Sequence, residues 1–183
     1  MTTSVVTPLT TNQDFDPVRL REAFGVFPTG VVAVAAEVDD VVIGLAASSF
    51  TSVSLDPPIV SFSIANTSAT WPVLRRSEHV GLSVLAEQHA GICRQLAGPV
   101  AQRFAGVDVT VLPGGAVLVD EGLAGFVGTV DQEVRAGDHT LVLLRLHAIG
   151  RRLGDGGGPP LVFHRSGFRG LGRQVPTVGS DGP

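Results

Sequence analysis

Leu20, Ala23, Phe24 and Phe27 fall at i, i+3, i+4 and i+7, the spacing of one apolar stripe on a helix. Asp16 stands at the capping position, Pro17 suits the first turn, and Pro28 and Gly30 end the segment. A β pattern follows. Residues 31–38 and 41–47 are almost continuously apolar and flank Asp39-Asp40, which predicts a tight hairpin with both strands buried on both faces. From Ser49 the pattern alternates, with Phe50, Val53 and Leu55 among Ser and Thr, until Asp56-Pro57-Pro58 breaks it. Val60, Phe62 and Ile64 then alternate with Ser61 and Ser63. Thr70 is placed to cap a short helix running to Arg76, residues 80–85 read as a strand, and residues 88–97 read as a helix stopped by Gly98-Pro99. Two long strands at 125–134 and 140–149 are joined by Arg135-Ala136-Gly137-Asp138-His139, and residues 161–163 form the last strand. Strands and helices do not alternate strictly. The pattern predicts a mainly β chain with short helices (α+β), an antiparallel barrel or sandwich and not a doubly wound parallel sheet.

The 183 residues form one domain by size, expected at 15–171. Residues 1–14 are Thr-rich without a period and are expected to be a flexible arm, and 172–183 are turn formers expected to be a flexible tail. Hydrophobic residues make up 44% and charged residues 16%, which excludes a disordered chain. The net charge of −4 gives no electrostatic case for nucleic acid or an anionic membrane. All 13 basic residues are Arg, so every lysine-dependent chemistry is removed. Cys93 is the single cysteine and has no intrachain partner, and the longest apolar stretches are far too short to span a bilayer as a helix. With no leader pattern, a cytoplasmic location is the expectation.

No strand–GxGxxG–helix fingerprint exists, because the glycines at 154–158 lack a following helix. Histidines 79, 89, 139, 147 and 164 are scattered, so no metal site is expected. No Gly-x-Ser-x-Gly elbow occurs. Four polar segments remain, each with two readings. Residues 44–58 carry Ser48, Ser49, Thr51, Ser52 and Ser54, hydroxyls able to hold phosphates or polar ring edges, or else to face solvent on an edge strand. Asn66-Thr67-Ser68-Ala69-Thr70 is an anion cradle before a helix, or ordinary capping. Pro28-Thr29-Gly30 allows a flat ligand close to the backbone, or is only a turn. Gly137-Asp138-His139 offers a hydrogen bond to a ligand, or is a surface turn.

Taken in order, these segments resemble the flavin reductase family of the FMN-binding split-barrel type, the short reductase components of two-component flavin-dependent monooxygenases. The likeness runs over about residues 17–170. It rests on Phe27-Pro28-Thr29-Gly30-Val31, on Gly44-Leu45-Ala46-Ala47-Ser48-Ser49-Phe50-Thr51-Ser52-Val53-Ser54-Leu55-Asp56-Pro57-Pro58, on residues 66–70 and 80–88, on Arg103-Phe104-Ala105-Gly106-Val107 and on Gly137-Asp138-His139. The resemblance implies a Greek-key-like split β-barrel and a homodimer. It also implies an NAD(P)H-dependent flavin reductase that supplies reduced FAD or FMN to a partner monooxygenase, in bacterial secondary metabolism such as antibiotic biosynthesis or in aromatic-compound metabolism. The nucleotide would be NADH or NADPH. The alternative is a non-catalytic flavin-binding split-barrel protein.

Position by position, the resemblance puts Thr29 and Gly30 near the flavin ring and Ala46, Ala47, Ser48 and Ser49 against the ring and ribityl chain. Ser63, Ile64 and Ala65 lead into Asn66, Thr67, Ser68 and Thr70 on the phosphate side, and Ser83, Val84 and Leu85 lie beside the flavin. Arg94 and Arg103 are the candidate phosphate cations, His139 positions the nicotinamide, and Phe163 or Phe168 stacks where relatives carry tyrosine. Ala46 and Ser83 depart from the Thr and Asn common at those positions. Hydride transfer between two rings asks for proximity more than for acid–base groups, so the lack of a catalytic dyad or metal fits this reading.

Overall fold

The computed structural model describes residues 15–151 and 158–171. The expected arm at 1–14, the tail at 172–183 and most of the glycine run at 154–158 lie outside the described residues. Helix α1 (Pro17–Phe24) begins on Asp16, whose carboxylate accepts a bond from Val18 N at 2.9 Å. The apolar stripe expected there does not face a core of this chain: no α1 residue is buried, and Phe24 and Phe27 are 70% and 74% exposed. Strands β1 (Thr29–Gly30), β2 (Val32–Val38) and β3 (Val41–Ala47) follow, with Asp39 and Asp40 at φ 52 and 60 in the two left-handed positions that a tight hairpin needs. Burial on both faces holds for β2 but only partly for β3, whose Val41 is exposed.

Edge strand β4 (Thr51–Leu55) is largely solvated, and a turn at Asp56–Pro57 leads to β5 (Pro58–Ala65). The central sheet continues with β6 (Val80–Val84), β9 (Ala124–Ala136) and β10 (His139–Arg151), the last two longer than their sequence pattern suggested. The strand order is β3-β2-β6-β9-β10-β5-β4, antiparallel throughout.

That order forces a curl. Strands β3 and β4 are the two ends of the sheet, yet only residues 48–50 join them. In a flat sheet the end strands would lie about 29 Å apart. The linker reaches roughly 14 Å at full extension. The sheet therefore rolls until its ends nearly meet, without a ladder between β3 and β4. It is a split barrel and not a closed one. From the linker, Ser49 Oγ accepts from Ser63 N of β5 at 2.8 Å and donates to Ser63 O at 3.3 Å. Thr51 pairs with Ser61, so Ser49 extends the β4–β5 register with its side chain in place of its backbone.

Alternation along β2 sends Val32 and Val34 into the barrel with Leu45, Phe62, Leu82, Val142 and Leu144, and Val31 and Ala33 into an outer core with Leu85, Cys93, Leu96 and Leu161. Helix α2 (Trp71–Leu74) plugs the barrel, with the Trp71 ring edge-on to Phe62 at 5.4 Å. It stops two residues short of Arg76, and its start is tied by Ser68 Oγ, which accepts from Trp71 N at 3.3 Å, not by the hydroxyl of Thr70. Helix α3 (Ala90–Leu96) is shorter than expected because Glu87–His89 forms a 3-10 turn. The sequence pattern missed a hairpin of β7 (Val109–Val111) and β8 (Val117–Val119), and a small sheet in which β11 (Val162–His164) pairs with both β1 and β12 (Gly167–Arg169).

Candidate active site

Where β3 runs out, the chain leaves a cavity of about 320 Å³. Val31, Ala46, Ala47 and Ser48 form one side; their small side chains keep it open. Cys93, Arg94 and Ala97 enter from α3, and Phe163 and Phe168 from the β11–β12 hairpin. The small sheet sets the aromatic wall: Thr29 lies opposite Phe163, Gly30 opposite Val162, and Phe163 opposite Phe168. The two phenyl rings meet at 5.6 Å and 58°. The Arg94 guanidinium sits 5.2 Å from the centre of the Phe168 ring, a cation–π contact that holds a positive charge at the rim. Among the described residues Arg94 has no carboxylate partner. A Cβ built on Gly30 would meet nothing within 4 Å, so the backbone there borders open space.

Sequence reasoning missed three lining residues, Val31, Ala97 and Cys93. Burial pushes the Cys93 thiol up to about 11, against a smaller opposite pull from Arg94, so it is a neutral apolar surface and not a nucleophile. The spacing of 93, 94 and 97 on one short helix was the available signal.

The other expected site residues divide into two groups. Ile64, Ala65, Asn66 and Ser68 line a separate polar cavity of about 310 Å³ with Arg75, Glu133 and Arg135. Asn66 ties the end of β5 to the β9–β10 turn: its backbone N donates to Asp138 O at 2.9 Å, its Nδ2 donates to Gly137 O at 3.1 Å, and Thr140 Oγ1 donates to its Oδ1 at 2.7 Å. Thr67 is exposed. His139 stands across from Ala65, and its Nδ1 lies 2.8 Å from Asp138 Oδ1. That hydrogen bond, then the imidazole charge, holds the Asp138 carboxyl below the usual carboxylate range.

The second group is engaged in packing. Ser83 is buried and its Oγ accepts from Val119 N at 2.8 Å, Leu85 is fully buried, and Val84 packs on the barrel core. Thr70 is buried and accepts from Arg103 Nη1 at 2.9 Å. Arg103 also donates to Gly44 O and to Gly98 O, each at 2.9 Å. It thereby ties β3, the end of α3 and the start of α2 together. Ser63 and Ser49 form the linker bond already described.

The chain matches the family described as "Flavin reductase like domain" over residues 24–172. It belongs to that family. This flavin reductase-like domain is 35% identical over 159 residues to the stachydrine N-demethylase reductase subunit Stc3 of Rhizobium meliloti, covering 86% of this chain and 63% of that one, so it spans less than two thirds of that relative's length. Among solved structures it resembles nitrilotriacetate monooxygenase component B from Mycobacterium thermoresistibile, with TM-score 0.83, 26% identity and 90% and 92% of the two chains covered. It also resembles the Streptomyces globisporus NADH:FAD oxidoreductase SgcE6, solved in complex with NAD and FAD fragments, with TM-score 0.80, 28% identity and 94% and 100% covered. The residues at the cavity suit a flavin: small side chains on one side, an aromatic wall on the other and, among the described residues, a Ser48 hydroxyl without a hydrogen-bond partner and one lining cation, Arg94. Among the described residues there is no cluster of metal-binding side chains, and no helix is long and apolar enough to cross a membrane.

Proposed function

We propose that this chain oxidises NADH or NADPH to reduce a flavin, FAD or FMN, and hands the reduced flavin to a partner monooxygenase. The observation that supports this is a convergence. Residues from three distant stretches, 46–48, 94 and 163–168, line one cavity beside the short strand Thr29–Gly30. When bound, a flavin supplies the hydride acceptor. The chain's own residues bind and orient. Phe163 and Phe168 form the stacking wall, Ala46 and Ala47 admit a ring edge, Ser48 donates a hydrogen bond, and Arg94 meets a phosphate. His139, at the mouth of the β9–β10 hairpin, positions the nicotinamide. Neutral donors and a single cation suit a flavin that is bound and released.

The exposed apolar run Phe15, Val18, Phe24, Val26 and Phe27 supports a homodimer, because a patch of this kind on a soluble chain marks an interaction surface. The name of the Mycobacterium neighbour as component B of a monooxygenase supports a monooxygenase partner. Loss of reduced-nicotinamide absorbance, followed on purified protein with and without FAD or FMN, tests the reading. Flavin-dependent consumption supports it, and the ratio of the two flavins fixes the preferred one. Flavin binding without nucleotide consumption sinks it and leaves a non-catalytic flavin binder.

A further inference from the structure

A second cavity, of about 330 Å³, lies between the end of α1 and the β11–β12 turn. Arg21, Glu22 and Gly25 line it from the helix side, and Arg165 and Ser166 from the turn. It is held in shape. Arg165 N donates to Gly25 O at 2.8 Å, and Arg165 and Ser166 take φ 48 and 58, the paired left-handed conformation of a two-residue hairpin turn. Among the described residues neither Arg21 nor Arg165 is in a salt bridge. Two guanidinium groups and the Ser166 hydroxyl are a donor set matched to phosphate oxygens, with Glu22 as the one acidic lining residue.

Its position gives the phosphate a source. The hairpin that ends in Arg165–Ser166 carries Phe163 and Phe168, the aromatic wall of the first cavity, about 7 Å back along its strands. The arginine cavity therefore adjoins the ring-stacking wall. We infer that it binds a phosphate group of the pyridine nucleotide whose nicotinamide end reaches the Ala46–Phe168 cavity. This rests on the proposed reductase reading. The phosphate belongs either to the diphosphate bridge, present in both nucleotides, or to the 2′-phosphate of the NADP form.

The test measures dissociation constants of NAD⁺ and NADP⁺ by calorimetry on the full chain, on Arg21→Gln and on Arg165→Gln, with steady-state reductase assays alongside. Both side chains are exposed, so unfolding midpoints are expected to match the parent. Each substitution should weaken nucleotide binding roughly fivefold to tenfold, as loss of one charge-assisted contact near solvent does, with flavin affinity unchanged. Equal weakening of both nucleotides identifies the diphosphate, and weakening of NADP⁺ alone identifies the 2′-phosphate. Variants that bind both nucleotides as the parent does overturn the inference while leaving reductase activity standing. A parent that binds neither nucleotide overturns it too, and if that parent also reduces no flavin, the proposed function falls with it.

Discussion

Arg103 is a residue for which two roles make opposite predictions. As a phosphate cation it would leave the fold untouched and fail only in ligand binding. In the structure it makes three bonds of 2.9 Å, to Gly98 O, Gly44 O and Thr70 Oγ1. Gly44 and Thr70 are buried, so Arg103→Met, which keeps the aliphatic stem, strips donors from two acceptors that water does not readily reach. Each such loss costs ~1–2 kcal/mol and the third, half-buried acceptor less, which sums to roughly 2–4 kcal/mol. For a chain of this size that lowers the unfolding midpoint by about 5–15 °C. Arg103→Lys keeps the charge but not the fork and should recover only part of the loss. Gly44 begins the run to Ala46–Ser48, and Gly98 ends the segment that carries Arg94, so flavin affinity should fall in proportion to the lost stability. Calorimetric unfolding and flavin fluorescence quenching on the same samples decide the matter. An Arg103→Met variant as stable as the parent but unable to bind flavin would refute the packing role and restore the phosphate role.

Three further outcomes are expected. Phe168→Ala removes both the wall and the surface under Arg94, and should raise the flavin dissociation constant roughly twofold to tenfold in a quenching titration, since a ring–ring stacking contact is worth ~0.5–1.5 kcal/mol; unchanged affinity would move the flavin elsewhere. His139→Ala should raise the KM for the nicotinamide nucleotide more than it lowers flavin affinity, and equal loss of both, or loss of neither, counts against a nicotinamide role. His89 is buried with Nδ1 accepting from Ala86 N at 3.0 Å, and desolvation lowers its pKa below 6.5 against a smaller pull from Glu121. The unfolded chain therefore binds the proton first, so stability is full above 6.5 and declines as pH falls below it, with a slope of at most ~1.4 kcal/mol per pH unit from this group. Unfolding midpoints of the parent and of His89→Gln across that range check it, and a variant with the parent's slope would exclude His89 as the source.

The elements that sequence resolved are those whose local pattern is self-sufficient. Asp39-Asp40 between two apolar runs encodes its own hairpin, and the two long strands announce themselves on both sides of Gly137-Asp138. The β7–β8 hairpin did not, because Pro113, Gly114 and Gly115 interrupt strands of only three residues. The stripe on α1 was legible as a stripe but its environment was not: periodicity says that a face is apolar, not what covers it. At the site, Ser48 stood out by its own chemistry, whereas Ala46, Ala47, Phe163 and Phe168 became legible only through the family likeness. The bonds of Arg103 could not be read at all. Its partner Gly44 lies 59 positions away, and nothing in a local window distinguishes an arginine that pins a strand from one that awaits a phosphate.

The bond between Ser49 and Ser63 has a mechanical meaning. The linker that carries Ser48 past the cavity is held to β5 by one hydroxyl, whose two bonds are worth together about 2 kcal/mol. Releasing it leaves every ladder of the sheet intact, so the linker can shift while β4 and β5 stay paired. The Ser63 amide is the local gauge of that hold. Its hydrogen exchange should run ahead of that of amides held in the β5–β10 ladder, and should slow when a flavin seats against the linker.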